Sequence, residues 1–132
     1  MAYSVVSMPG SAGCKVLALR GELDITDAEE LSARLAAVVA REPWVIVDLA
    51  GLAFIDCSSF RVLAGARDLA RAAGGDVLLA GPRGSVARLL MLTGWDVVFP
   101  VFPSVELAAS STRLTAFGGR RTVPSIRESL AV

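Results

Sequence analysis

The sequence contains no histidine and only two cysteines, and these shortages exclude most metal and hydrolase sites. Without histidine the chain cannot build a Ser/His/Asp or Cys/His catalytic unit, or a histidine-based zinc or iron site. Cys14 and Cys57 are too few for a four-thiolate metal site, so we expect no metal and no cofactor. An enzyme is the least favoured class, because no base is evident that could activate the Cys57 thiol.

The chain also lacks a charge excess and a long apolar run. Thirteen basic and thirteen acidic side chains give a net charge of zero, and aromatic residues make up only 6% of the sequence. Nothing therefore attracts the chain to phosphate backbones, and we expect no nucleic-acid partner. No apolar window approaches the roughly 18 residues of a membrane span, and the N-terminus does not resemble a signal peptide. We expect a cytoplasmic protein with reduced thiols and no stable membrane insertion.

Short strands alternate with helices along the chain, after an opening hairpin. Alternating and β-branched residues predict strands at Tyr3 to Ser7 and Lys15 to Arg20. Apolar runs predict further strands at Trp44 to Leu49, Asp76 to Ala80 and Val97 to Phe99, with a loop from Ala50 to Asp56. Helical spacing predicts four helices. The first is capped by Asp27 and ends at Arg41, and the second runs from about Ser58 to Ala73. The third follows a cap at Ser85, and the fourth runs from Val105 to about Leu114.

This order of elements predicts an α/β domain with a mixed, mostly parallel sheet, an N-terminal hairpin and about four helices. In the second helix, the predicted core stripe contains Phe60, Leu63, Ala64 and Leu69, and Arg67 and Arg71 face solvent. Cys14, Trp44 and Trp95 are expected to be packing residues. At 132 residues, the chain is expected to form one domain.

Two turns follow strands and could carry chemistry, one at Gly21 to Asp24 and one at Phe54 to Phe60. Both are predicted at carboxyl ends of strands, where open α/β sheets place their sites. In the second turn, a thiol and two hydroxyls occupy the first positions of a helix, where an anion or a phosphoryl group is favoured. The simpler alternative is that Asp56 or Ser58 only caps the helix, and that Asp24 only forms a turn.

Three segments carry a resemblance to a known family: Gly21-Glu22-Leu23-Asp24, the stretch VIVDLAGLAFIDCSSF from Val45 to Phe60, and Leu92-Thr93-Gly94-Trp95. In this order and spacing they resemble the STAS family, specifically the bacterial anti-sigma factor antagonists. The resemblance implies the STAS-domain fold over residues 3–112. The remaining residues 113–132 are expected to form a basic, loosely structured tail.

The resemblance also implies a switch that is not an enzyme. In this family the unmodified antagonist binds an anti-sigma factor with a GHKL-type serine kinase fold, and so releases a sigma factor. Phosphorylation by that kinase ends the interaction, and a phosphatase restores it. The family's acceptor is the hydroxyl residue after the motif aspartate, and here that position is Cys57. Ser58 matches the second hydroxyl position, Ser59 replaces a glycine, and Arg61 replaces a small residue.

Three outcomes are open for this altered motif. The protein could bind its partner constitutively, because Cys57 cannot become a phosphoserine. Ser58 or Ser59 could accept the phosphate after a one-residue shift, although in-line transfer tolerates little displacement. Cys57 could itself sense oxidation, as a thiol beside a helix N-terminus and Arg61.

The resemblance implies a partner-binding surface that includes Asp24, Asp56, Cys57, Ser58, Ser59 and Arg61. Two other functions remain open beside that of an anti-sigma factor antagonist. One is an accessory STAS subunit of a lipid-transport ATPase. The other is a redox-sensing or ligand-sensing STAS scaffold, with an anion at the Ser58 helix N-terminus.

Overall fold

The computed structural model describes residues 3–9 and 13–116, with side chains described for 3–5 and 13–112. The chain opens with the predicted hairpin, in which β1 (Tyr3–Pro9) pairs antiparallel with β2 (Lys15–Leu23). The sheet has the order β1-β2-β3-β4-β5, and the pairs from β2 onward are parallel. The predicted mixed, mostly parallel α/β sheet is therefore confirmed.

The central strand β3 (Trp44–Ile55) is longer than the sequence analysis predicted. The loop predicted from Ala50 to Asp56 was wrong, because β3 continues to pair with β2 as far as the Leu23 and Ile55 pair. Gly51 lies within the strand, where the absence of a side chain makes room for a neighbouring one. A Cβ at Gly51 would lie 2.7 Å from Cγ of Arg20, beside a shift in the strand register.

The first helix, α1 (Ala28–Arg41), follows a 3-10 turn at Ile25–Asp27. Its apolar stripe buries Leu31, Leu35 and Val39 against the sheet, as the spacing predicts. Asp27 does precede α1, but its side chain does not cap that helix. The Asp27 Oδ2 instead accepts the backbone N–H of Asp24 at 3.0 Å, so the carboxylate stabilises the 3-10 turn.

The second helix, α2 (Cys57–Ala72), buries Ser59, Phe60, Leu63, Ala66 and Ala70. Two predictions for α2 were wrong. Leu69 is 53% exposed, because the buried stripe follows the small Ala66 and Ala70, which let the helix approach the sheet closely. Arg67 does not face solvent, since its Nε donates to Oδ1 of the buried Asp76 at 2.8 Å. The chain leaves α2 through Gly74, whose φ of +90° suits glycine.

The second half of the sheet contains β4 (Asp76–Ala80), which is buried throughout as predicted, and the short β5 (Val101–Phe102). The strand predicted at Val97 to Phe99 was wrong. The segment Trp95–Val98 forms the single-turn helix α4, which starts after Gly94 reverses the chain at a φ of +79°. A three-residue apolar run fits a strand and a helical turn equally well, and tertiary packing decides between them.

Two further helices complete the domain. The helix α3 (Gly84–Thr93) begins one residue before Ser85, so the predicted Ser85 cap was wrong. The Ser85 hydroxyl donates instead to the carbonyl of Ala53 at 3.1 Å, which ties α3 to the end of β3. The helix α5 (Val105–Ala116) starts after a capping serine, because Oγ of Ser104 accepts the N–H of Leu107 at 3.2 Å. The described residues thus form five α-helices rather than about four.

The sheet is covered on two faces by separate apolar clusters. Helices α1, α2 and α3 bury the larger cluster, and α5 covers the smaller cluster on the other face. Cys14 is 4% exposed in the smaller cluster, and Trp44 packs beside it, as expected for packing residues. Among the described residues, no helix is long and apolar enough to cross a membrane. The tail predicted at 113–132 lies almost entirely outside the described residues.

Candidate functional site

The two motif aspartates lie at the same edge of the sheet. Leu23 and Ile55 are paired residues at the carboxyl ends of β2 and β3, so Asp24 and Asp56 leave the sheet side by side. The chain enters the 3-10 turn after Asp24 and enters α2 after Asp56. The structure therefore brings the two predicted turns together, at the edge where open α/β sheets place their sites.

Asp24 caps the 3-10 turn that follows β2. Its Oδ1 accepts the backbone N–H of Thr26 at 2.9 Å and also the Thr26 hydroxyl. These hydrogen bonds from Thr26 favour the charged form and hold the pKa of the Asp24 carboxyl below its usual value. The turn-forming role of Asp24 is confirmed, and its contact with a partner stays a prediction.

Asp56 caps α2 and is the most heavily bonded side chain of the edge. Its Oδ1 accepts the Ser58 hydroxyl at 2.7 Å, and the N–H and the hydroxyl of Ser59 at 3.0 Å each. Partial burial raises the pKa of Asp56, but the hydrogen bonds from Ser58 and Ser59 outweigh it and leave the pKa below its usual value.

The three residues that begin α2 differ sharply in exposure. Cys57, at the family's acceptor position, is exposed with a free thiol. Ser58 is half-buried and its hydroxyl points to Asp56. Ser59 is fully buried, at 0% relative exposure. Of these three side chains only the thiol is exposed, and the two hydroxyls donate to the capping carboxylate.

The edge also carries apolar side chains that the sequence analysis missed. Ile25, in the 3-10 turn, is 70% exposed, and Phe54, near the end of β3, is 42% exposed. Arg61 is exposed one helical turn after Cys57. The sequence already contained a sign of this apolar surface, because Ile25 directly follows Asp24 and Phe54 lies two positions before Asp56. Exposed apolar side chains framed by charged ones are typical of protein interfaces.

The edge shows little that would hold a metal or a small ligand. Within residues 3–9 and 13–116, no group of three histidine, cysteine or carboxylate side chains could hold a metal ion. A cavity of about 260 Å³ beside the middle of β3 and the carboxyl end of β4 is lined by Asp48, Arg83 and Glu106 together with neighbouring residues, and not by Ser58. This cavity does not reach the Ser58 helix N-terminus, where the sequence analysis placed a possible anion.

The fold and this edge define a class of protein. The family model described as the STAS domain matches residues 5–108, and the chain belongs to the STAS domain family. Within the family, the chain is similar to the anti-sigma-F factor antagonist RsfA of Mycobacterium tuberculosis. The two are 33% identical over 100 residues, which cover 74% of this chain and 78% of RsfA.

Solved structures agree with this assignment. An anti-sigma factor antagonist from Mycobacterium paratuberculosis superposes with a TM-score of 0.75 and 26% identity, over 85% of this chain and 95% of the other. The anti-sigma factor antagonist SpoIIAA in its unphosphorylated form gives a TM-score of 0.71 and 20% identity, over 83% of this chain and 96% of SpoIIAA. The predicted STAS-domain fold is therefore confirmed.

Proposed function

We propose that this protein is a cytoplasmic anti-sigma factor antagonist whose phosphorylation switch is lost. Its partner is an anti-sigma factor with a GHKL-type serine kinase fold, which it binds through the edge that carries Asp24, Asp56 and Cys57, releasing a sigma factor. The observation that carries the proposal is the exposed thiol of Cys57 at the acceptor position. Support for the anti-sigma partner comes from the names of the similar proteins.

The composition of the edge supports protein binding. Ile25 and Phe54 offer exposed apolar surface, and the carboxylates of Asp24 and Asp56 stand beside them. Apolar surface at the centre of a patch provides affinity, and flanking charges steer the encounter and fix the register. Hydrogen bonds hold both carboxylates in place before binding, which lowers the entropy lost on association.

The state of the two serines argues against phosphorylation of this chain. Ser59 is fully buried, so its hydroxyl cannot reach the γ-phosphate of ATP without local unfolding. The Ser58 hydroxyl donates to Asp56 at 2.7 Å and lies one residue beyond the acceptor position. In-line phosphoryl transfer loses much of its rate when the nucleophile is displaced by about 1 Å. Constitutive binding is therefore the function that this geometry supports best.

The test is a kinase reaction with the anti-sigma factor from the source cell, ATP and Mg²⁺, followed by intact mass and phosphopeptide mapping. We expect no phosphate on the native chain and one phosphate on Cys57→Ser, which restores the acceptor. The double variant Cys57→Ser/Ser58→Ala should still gain one phosphate, which controls for transfer to Ser58. A phosphate on the native chain that is lost in Ser58→Ala would show a switch with a displaced acceptor.

The same preparation tests the binding half of the proposal. The native chain should form a stable complex with the anti-sigma factor in the presence of ATP, and the complex should survive treatment with hydrogen peroxide. Loss of the complex on oxidation, with rescue by Cys57→Ser, would instead make Cys57 a redox sensor. Failure of the native chain to bind any kinase-like anti-sigma factor would overturn the proposed function.

A further inference from the structure

The two edges of the sheet differ in length and in protection. At one edge, β5 has only two residues and lies between Pro100 and Pro103. A very short edge strand next to prolines is poorly suited to pair with another strand. At the other edge, β1 has seven residues. In the part of the chain that the structure describes, the sheet order ends at β1, so no strand pairs with its outer side.

The features that usually protect an edge strand are missing from β1. Its sequence, YSVVSMP, contains no charged residue, and its one proline is the last residue. Its register with β2 is continuous from Tyr3 to Pro9, whereas the register between β2 and β3 shifts. A regular, uncharged edge is a template for a further strand. We propose that β1 pairs antiparallel with β1 of a second copy of this chain, so that two sheets join into one.

A second copy fits this edge because antiparallel pairing of two identical strands has two-fold symmetry. Each strand then donates and accepts the same set of hydrogen bonds, and the contact closes on itself as a dimer. An axis through Val6 places Tyr3 opposite Pro9 of the second copy, so the whole length of β1 is paired. The chain has 13 basic and 13 acidic side chains, so two copies carry no net charge that would drive them apart.

Helix α1 adds charge complementarity to this arrangement. It lies on the β1 side of the sheet, because the Tyr3 hydroxyl donates to Oε1 of Glu30 at 2.7 Å. Its first turn contains Glu29 and Glu30 and its last turn contains Arg41, all of them exposed. A two-fold axis perpendicular to the sheet puts the two α1 helices antiparallel on the same face. The acidic start of each helix then faces the basic end of the other, and the helix dipoles are opposed.

The size of the contact implies a weak dimer that forms with rising concentration. Seven strand residues at about 3.4 Å each give a seam of about 24 Å, which belongs to the small class of interfaces. Antiparallel β1 strands also orient the parallel strands of the two copies in opposite directions. The edges that carry Asp24 and Asp56 therefore point away from each other and stay accessible. The inference goes beyond the proposed function and does not depend on it.

Sedimentation equilibrium of the full chain measures the dimer. We expect the mass of one chain at about 1 μM and an approach to two chains at about 1 mM. Ser4→Lys places a charge on the exposed edge strand and should weaken the dimer by about 10-fold. Ser110→Lys, at an exposed serine of α5 on the other face, is the matched control and should have no effect. A native chain that stays monomeric at about 1 mM, or equal weakening by both variants, would overturn the proposal.

A charge reversal tests the orientation of the two copies. Arg41→Glu brings the end of α1 into repulsion with the acidic start of α1 in the second copy, and should weaken the dimer by about 3-fold or more. Arg88→Glu makes the same change in net charge at an exposed position of α3 and should leave the dimer unchanged. Equal dimer strength in the two variants would contradict the antiparallel arrangement.

Isotope-filtered NMR on a mixture of labelled and unlabelled native chain locates the contact without any substitution. We expect intermolecular Hα–Hα contacts within Tyr3–Pro9. Intermolecular contacts confined to another surface would overturn the proposal, even if the chain dimerises. Contacts within one chain between β1 and residues 113–132 would show that the tail covers this edge, which would overturn it as well.

Discussion

Two aspartates at opposite ends of the parallel sheet are held in opposite ways. Asp56 follows β3 at the carboxyl end, and its named donors are neutral hydroxyl and amide groups. Asp76 begins β4 at the amino end, where its side chain is 2% exposed and pairs with the Arg67 guanidinium at 2.8 Å. Arg67 also donates to the carbonyl of Val98, which joins α2, β4 and α4.

The difference separates an aspartate suited to stability from one suited to binding. A guanidinium neutralises Asp76, so its charge hardly acts beyond the protein. Neutral donors stabilise the charge on Asp56 without cancelling it, and that charge stays available at a half-exposed edge. Both side chains are well bonded, so the number of hydrogen bonds alone would not tell the two roles apart.

The largest effect is expected at the amino end. Replacement of Asp76 with alanine strands the Arg67 charge in a site where its side chain is only 17% exposed. We expect the free energy of unfolding to fall by about 3–5 kcal/mol in urea titrations. Arg71→Ala is the control, because Arg71 is 58% exposed and 4.0 Å from Asp76, so its loss should change stability by less than about 1 kcal/mol. Equal losses in the two variants would contradict the comparison.

Replacement of Asp56, at the carboxyl end, should affect partner binding more than stability. Asp56→Ala removes the cap of α2, and we expect a loss of about 1–2 kcal/mol in unfolding free energy. Affinity for the anti-sigma factor should fall at least about 10-fold, measured by calorimetry on the folded variant. Asp68→Ala, at an exposed position of the same helix, should change neither quantity measurably. Unchanged affinity in Asp56→Ala would remove the distinction between the two ends.

Exposed apolar residues provide a third comparison, because both ends have them. Ile25 is 70% exposed at the carboxyl end, and Val97 is 80% exposed in α4 at the amino end. Ile25→Ser should weaken anti-sigma binding by about 10-fold, whereas Val97→Ser should leave affinity unchanged. Both variants should retain stability within about 0.5 kcal/mol, since neither side chain is buried. A weaker complex with Val97→Ser would mean that the partner contacts the amino end of the sheet, which contradicts the proposed interface.

The smallest expected effect is on acid stability. The folded pKa of Asp56 lies below the ordinary value of 3.8, so its hydrogen bonds add stability above that pH. This contribution is lost as the pH falls from about 4 through the lower folded pKa. Asp56→Asn should therefore show a shallower decline of unfolding free energy below pH 4 than the native chain. Parallel declines in urea titrations at pH 2 to 5 would show that the carboxylate is not held as described.

The sequence alone was sufficient to predict the hairpin, α1 and β4, because the signals for these elements are local. Alternation in β1 and β2, the apolar spacing of α1 and the uninterrupted apolar run of β4 each depend on neighbours in the chain. The motif resemblance then placed Asp24 and Asp56 at one edge, and the pairing of Leu23 with Ile55 agrees with that placement.

The errors occur where a distant residue decides the structure. Gly51 stays in a strand because β2 pairs alongside it, and Arg67 turns inward because Asp76 lies buried within its reach. Ser85 bonds to Ala53 of another strand instead of capping its own helix. The buried state of Ser59 was equally hidden, since a serine in the first turn of a helix normally faces solvent.

The contrast between the two cysteines gives the molecule a practical property. Cys14 is enclosed within the smaller apolar cluster, and Cys57 stands in the open at the start of α2. Because the chain has no other cysteine, a maleimide fluorophore added to the native protein would attach at one known point. That point lies on the candidate interface, so the dye's emission would change when a partner binds or leaves, and no cysteine has to be introduced by mutation.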